Sequence, residues 1–367
     1  MTKLTKEQIV KMSIKRIEKE IRDTSYHKGT EHHVGRLRAK ISKLQAEELN
    51  KAAKKGGGGV GYSVKKQGDA TVTLVGAPSV GKSTLLNVLT NARSKIAPYA
   101  FTTVNVVPGM MNYKDAKIQI LDVPGLIEGA EVGKGRGREV LSVVRGSDLL
   151  VIMCDVDNLK SFESIEKSLE KSGIKINKKR PMVSIDKKLK GGIQVVSNIK
   201  QEFNKETVKE IAKEFRIANA EITIKEKLSL DKLIDAFNKS IVYVPALYVI
   251  NKIDNLEHNK VPNLENRINF ITISAEENKN IDKLKDEIWE KLNFIRVYLV
   301  RSDEKPNSDN PLIMDKGQTL QDVAQKIGEE FAEEKERAII WKAGAKYPGQ
   351  EVSLKKETQE GMQVRFI

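Results

Sequence analysis

"GAPSVGKST", Gly76–Thr84, is the stretch that decides the fold. It has the spacing G-x-x-x-x-G-K-[ST] and stands where that motif requires, after the apolar run "TVTLVG" and before a helix-forming segment. In such a loop, successive backbone N–H groups and a helix N-terminus form a nest for phosphate oxygens. Gly76 and Gly81 give conformations and room that a Cβ would deny. Ala77, Pro78, Ser79, Val80 and Thr84 complete the loop. Lys82 is expected to neutralise β- and γ-phosphate charge during phosphoryl transfer, and the Ser83 hydroxyl to ligate Mg²⁺.

Working outward, short apolar runs alternate with helical segments: "AKIQILDV", "DLLVIMCDV", "ALYVINKID" and "NFITISA". Near-continuous runs such as "LLVIMC" suit a parallel sheet covered by helices on both faces. "DVPG" (Asp122–Gly125) ends one strand, so Asp122 is expected to face the magnesium and Gly125 to offer its N–H to the γ-phosphate, with Val123 and Pro124 beside them. Between this and the phosphate loop, "AFTTV" supplies Phe101, Thr102 and Thr103, one threonine being the second hydroxyl for the metal. "NKID" supplies Asn251, Lys252 and Asp254. The Asp254 carboxylate can accept from guanine N1–H and the 2-amino group, and an adenine would leave it unpaired, which is costly. "ISAEEN" brings Ser274, Ala275 and Glu276, with the Ala275 N–H expected on guanine O6. Five motifs in one order predict a GTP- and GDP-binding domain rather than an ATPase. The residues expected to act in hydrolysis are Lys82, Gly125 and one of the two threonines, Thr102 or Thr103. Leu126 stands where many such switches carry a water-orienting glutamine; having neither donor nor acceptor, it leaves the attacking water to another group.

The chain has 367 residues, 39% hydrophobic and 31% charged, enough for several modules with real cores. No apolar run has the length of a membrane helix, and "MTKLTKEQIV" has no signal-peptide core, so a cytoplasmic protein without a membrane partner is expected. The single cysteine, Cys154, excludes an internal disulfide and falls in an apolar strand. Net charge is +14, of which residues 1–55 carry +8 and residues 166–240 carry +7. That concentration suggests two surfaces facing a polyanion.

The expected organisation is a basic N-terminal helical hairpin with a glycine-rich linker over 1–68, with stripes Val10, Ile14, Ile17, Ile21 and Val34, Leu37, Ile41, Leu44. A GTPase domain covers 69–165 and 241–295, interrupted by a basic α+β insertion at 166–240 that is too long for a loop. Residues 296–367 read strand, helix, then short strands, the order of a ubiquitin-like β-grasp.

The chain also resembles a known family, the developmentally regulated GTP-binding protein branch of the Obg-type GTPases. The resemblance rests on "TEHHVGRLRAKISKLQAEEL", "GGGGVGY", "VGAPSVGKSTLLN", "FTTVNVVPGMM" and "DVPGLIEGAEVGKGRGREV", and it covers nearly the whole chain. It implies a P-loop GTPase fold with a C-terminal TGS domain, an insertion shared with a small-subunit ribosomal protein, and Thr103 as the second magnesium hydroxyl. It also implies a slow GTPase linked to ribosomes and translation, often stimulated by K⁺. Potassium-using relatives often carry an asparagine where this chain has Ser79, whose oxygen is a less reliable cation ligand. The partners implied are the ribosome or its RNA, met through residues 1–55, 166–240 and the TGS domain, besides a protein regulator of a monomeric switch. A nucleotide-gated scaffold for a protein partner, with hydrolysis incidental, is the alternative.

Overall fold

The computed structural model describes residues 6–54, 67–90, 97–98, 105–123, 136–255 and 269–367. Helices α1 (Lys6–Asp23) and α2 (Glu31–Lys54) come first. Then follow β1 (Ala70–Gly76), α3 (Lys82–Thr90), β2 (Ala97–Pro98), β3 (Asn105–Tyr113), β4 (Ala116–Asp122), α4 (Arg136–Arg145) and β5 (Leu149–Asp155). The chain continues through α5 (Ser161–Lys171), β6 (Ile174–Ile176), β7 (Val183–Lys187), β8 (Ile193–Ser197), α6 (Lys205–Glu214), β9 (Ala220–Ile224), α7 (Leu230–Phe237) and β10 (Val242–Val244). It ends with β11 (Ala246–Asn251), β12 (Phe270–Thr272), α8 (Ile281–Lys291), β13 (Phe294–Leu299), β14 (Pro311–Asp315), α9 (Leu320–Ile327), α10 (Glu329–Glu334), β15 (Arg337–Trp341), β16 (Gln350–Ser353) and β17 (Met362–Phe366). These elements form two compact units, and no helix among the described residues is long and apolar enough to cross a membrane.

One unit comprises the described residues within 64–128, 146–165 and 245–367. Its seven-stranded sheet has the order β12-β11-β5-β1-β4-β3-β2. The first five strands of that order are parallel, and β3 joins β4 antiparallel. β1 and β11 are buried along their whole length, as near-continuous apolar sequences require. β3 is the strand that periodicity does not announce, because Pro108 and Gly109 interrupt it. β2 pairs only with Asn105 and Val106 of β3, so Pro108 has no second strand beside it among the described residues, and Gly109 lets α3 come close: a Cβ there would stand 2.5 Å from Thr90 Cγ2. Strand order reverses at β1, which places a ligand crevice at the carboxyl ends of β1 and its neighbours.

The C-terminal sheet of the same unit has the order β14-β13-β17-β15-β16, with β13 and β17 parallel and the other pairs antiparallel. This is the β-grasp arrangement, its helix α9 packed over Val297, Met314, Ile340 and Val364. A capping box between Thr319 and Asp322 starts α9, satisfying two backbone donors at once.

The other unit comprises the described residues within 1–63, 129–145 and 166–244. Its three-stranded sheet β7-β9-β8 is backed by α6 and α7, and Ala39 of α2 enters the same core with Val208, Ile211 and Phe237. Gly35 of α2 lies against Thr207, where a Cβ would be 3.0 Å from Thr207 Cγ2. Beside it, the buried Glu31 accepts from the Asn204 N–H (2.9 Å) and the Thr207 hydroxyl (2.8 Å) at the start of α6. Lys43 donates to the Glu214 carbonyl, and Asn238 Nδ2 to Ser42 Oγ. The two basic segments, expected as two surfaces, are therefore one body. Their union could not be read locally, since the partners lie more than 170 positions apart.

Candidate functional site

The loop between β1 and α3 is shaped by two left-handed residues, Ser79 (φ 64°) and Gly81 (φ 91°). Gly81 is obligatory for space as well as conformation, because a Cβ would stand 2.2 Å from Asn251 Nδ2. Gly76 is equally confined, with the Met153 carbonyl oxygen 2.5 Å from its would-be Cβ. Val80 is buried and anchors the loop, whereas Pro78 and Ser79 are exposed and Ala77 half-buried. Lys82, Ser83 and Thr84 form the first turn of α3, whose N–H groups have no acceptor within the helix. That turn and the two left-handed positions suit an anion.

Lys82 is 8% exposed, and its Nζ donates to the Gly76 and Ala77 carbonyls at 3.1 and 2.9 Å. Burial lowers its pKa below the ordinary lysine value, while the Asp122 carboxylate acts in the opposite direction. At the end of β4, Asp122 Oδ2 accepts from the Ser83 hydroxyl at 2.5 Å. Asp122 Oδ1 is buried and has no partner among the described residues. A hard cation fits this place: it would supply the missing partner to a desolvated carboxylate oxygen beside a hydroxyl oxygen. Val123 is buried beneath this corner.

The strand ends β11 and β12 bring the base motifs to the same crevice. Asn251 is buried, its Nδ2 donating to the Val80 carbonyl (2.9 Å) and its Oδ1 accepting the Ala275 N–H (3.0 Å). One side chain thus ties the phosphate loop to the "ISAEEN" turn. The N–H expected on guanine O6 is thus the one that Asn251 holds in this structure. The Glu276 N–H, next along, has no partner among the described residues. The turn is closed by the reciprocal Ser274–Lys279 backbone pair and by Ser274 Oγ, which accepts the Glu277 N–H. Lys252 takes a left-handed conformation (φ 63°), and Asp254 is exposed in the following 3₁₀ turn.

Asp155 is a member of the site that the motifs do not mark. It ends β5 opposite Asn251, its Oδ2 is 3.9 Å from Lys252 Nζ, and its buried Oδ1 has no partner among the described residues. The signal was the aspartate closing "LLVIMCD", an ionisable group ending a strand otherwise wholly apolar. Cys154 before it is buried with its thiol pushed up to about 12, first by desolvation and then by Asp155, so it is no nucleophile. Phe101, Thr102, Thr103, Pro124, Gly125 and Leu126 lie outside the described residues.

A family model described as "50S ribosome-binding GTPase" matches residues 71–188, and one described as "C-terminal region of MMR_HSR1 domain" matches residues 190–294. An uncharacterized GTP-binding protein of Methanocaldococcus jannaschii is 43% identical over 96% of this chain and 91% of its own length. Developmentally-regulated GTP-binding protein 2 of Homo sapiens is 39% identical over 93% of this chain and 94% of its own. Among solved structures, the YchF GTPase of Schizosaccharomyces pombe aligns over 83% of this chain and 99% of that one, at TM-score 0.47 and 16% identity. With the phosphate loop, its carboxylate and the guanine motifs gathered at one sheet edge, the chain belongs to the family of developmentally regulated GTP-binding proteins and is a GTPase.

Proposed function

We propose that this GTPase is a slow switch working on ribosomes or ribosomal RNA. The observation that carries the reading is the packing of both basic segments into one compact unit, which concentrates the positive charge of the chain on a single body. The matched family's description as ribosome-binding supports the same reading. In this view Lys82 and the loop of Gly76–Thr84 hold the phosphates, and Asn251, Lys252, Asp254 and Ser274–Glu276 hold the base. Ser83 and Asp122, with Thr103, hold Mg²⁺, which when bound neutralises charge on the β- and γ-phosphates. Gly125 senses the γ-phosphate, and Leu126 keeps the unassisted rate low. Ser79 offers an oxygen for K⁺, as potassium-stimulated relatives offer an asparagine. The division into residues 1–68, 69–165 with 241–295, 166–240 and 296–367 is the modular description that goes with this, the last being the TGS module.

The test is cosedimentation with ribosomes over graded salt, with a GTP analogue against GDP, alongside GTP turnover in potassium and in sodium. Binding is expected to prefer the GTP form and to weaken steeply with salt, because phosphate contacts release counterions. Salt-insensitive binding that ignores the nucleotide overturns the reading in favour of a scaffold for a protein partner.

A further inference from the structure

The connection between β7 and β8, Lys188–Gly192, crosses the start of β9 and carries the most exposed large apolar side chain of the described residues: Leu189 is 100% exposed. A solvated lysine loop has no reason to hold a leucine outward, yet this one is held. Asn219 Oδ1 accepts the Gly192 N–H at 2.9 Å, and Asn219 Nδ2 donates to the Leu189 carbonyl at 3.2 Å. The Lys188 N–H donates to the Asn219 carbonyl at 3.1 Å, and the Ala220 N–H to the Gly192 carbonyl at 3.1 Å. Gly191 (φ 106°) and Gly192 (φ 71°) make the return that this path needs, with nothing within 4 Å of where a Cβ would be. Around the leucine stand Lys187, Lys188 and Lys190, all exposed. Lys188 pairs with Glu221, and Lys187 and Lys190 have no ion-pair partner among the described residues.

We infer that this loop is an RNA contact: Lys187 and Lys190 sit on phosphates, and Leu189 packs on an unstacked base or the shallow minor-groove face between them. Charge decides the occupant. Two unpaired ammonium groups flank a single apolar side chain, on an insertion of net +7, which matches a strand that alternates phosphate with an apolar base face. A protein groove taking the leucine would leave both ammonium groups unmatched unless it carried carboxylates beside it, whereas RNA supplies an anion at every nucleotide. Preorganisation by Asn219 lowers the ordering cost of binding. The inference rests on the ribosome reading above and names where that reading makes contact.

The experiment measures binding of the full chain to purified ribosomes and to protein-free ribosomal RNA over a salt series. The double substitution Lys187→Gln, Lys190→Gln is expected to weaken both, on the order of tenfold or more, and to flatten the slope of log K against log salt by about 2, roughly one for each phosphate left without its ammonium. Leu189→Ala is expected to weaken both on the order of fivefold with the slope unchanged, since it removes apolar surface and no charge. Asn219→Ala, which removes none of the three side chains that meet the RNA, is expected to weaken binding by releasing the loop, and GTP turnover in the absence of ribosomes stays as in the wild type throughout. Variants that bind both like the wild type overturn the loop assignment and leave the ribosome reading standing. Variants that lose ribosomes but keep protein-free RNA place the loop on a ribosomal protein and overturn the RNA assignment. A wild type that binds neither overturns the ribosome reading and this inference together.

Discussion

Lys82 is a buried ammonium held by two backbone carbonyls and facing one carboxylate, and burial lowers its pKa from the ordinary 10.5. Bound phosphate favours the charged form, so the nucleotide raises that pKa again. Between the free and the bound value, binding takes up a proton, and affinity therefore falls as pH rises through the lowered free value. GTP affinity measured by equilibrium titration on the alkaline side is expected to decline with pH in the wild type and to stay flatter in Lys82→Arg, whose guanidinium does not titrate there. The guanine ionises alike in both proteins, so a matching decline in the two would show that Lys82 is not the titrating group. Lys82, Ser83, Asp122 and Asn251 were legible in the sequence because each sits at a fixed offset from a glycine or a strand end. The Asn251 bond to the Ala275 N–H was not, since motif spacing gives the residue and not which amide it takes. Asp155 was missed because its role depends on β5 lying beside β11, a pairing that no run of sequence states.

At the scale of elements, the docking of α2 on α6 turns on Glu31. Its buried carboxylate completes the N-terminal turn of α6, whose own cap is Asn204, the side chain accepting the Thr207 N–H at 2.7 Å. A carboxylate there also meets the positive end of the helix. Glu31→Ala would leave the Asn204 N–H without its acceptor inside the α2–α6 contact and is expected to cost about 2–4 kcal/mol of local stability. Hydrogen exchange should show this as faster exchange in α2 and the first turn of α6, with Glu31→Gln between the two because its amide oxygen still accepts. Unchanged exchange in α2 would mean that Gly35, Ala39 and the apolar core hold the docking alone. α2 was foreseeable from its apolar stripe Val34, Leu37, Ile41 and Leu44. Its partner was not, because Ala39 and Gly35 are small residues whose value appears only where another backbone comes close.

For the whole molecule, the proposed function requires that a phosphate sensed in one segment alter a basic body built from others. The chain runs from "DVPG" into α4, and α4 ends at Arg145. The Arg145 guanidinium donates to the Ser172 carbonyl (2.8 Å) and to the Ser240 carbonyl. Those two carbonyls stand where the insertion begins and ends, just before the paired strands β6 and β10. Ser172 also follows the last residue of α5, where a cation suits the negative helix terminus. Burial lowers the Arg145 pKa, but an arginine stays charged, so the bond is a fixed clasp rather than a pH switch. Arg145 therefore joins the helix that follows "DVPG" in the sequence to both roots of the insertion. Coupling between two sites needs a shared element that both can bias, and the prediction is that α4 with its clasp is that element. Arg145→Met is expected to leave GTP and GDP affinity unchanged while the ratio of ribosome affinities in the two nucleotide states falls toward one. Arg145→Lys, which can satisfy one carbonyl at a time, is expected to fall between. Cosedimentation with each nucleotide, beside a direct nucleotide titration of the same variants, separates the outcomes. A ratio that survives in Arg145→Met, with the protein folded, would mean that nucleotide state reaches the basic body by a path that does not pass through α4.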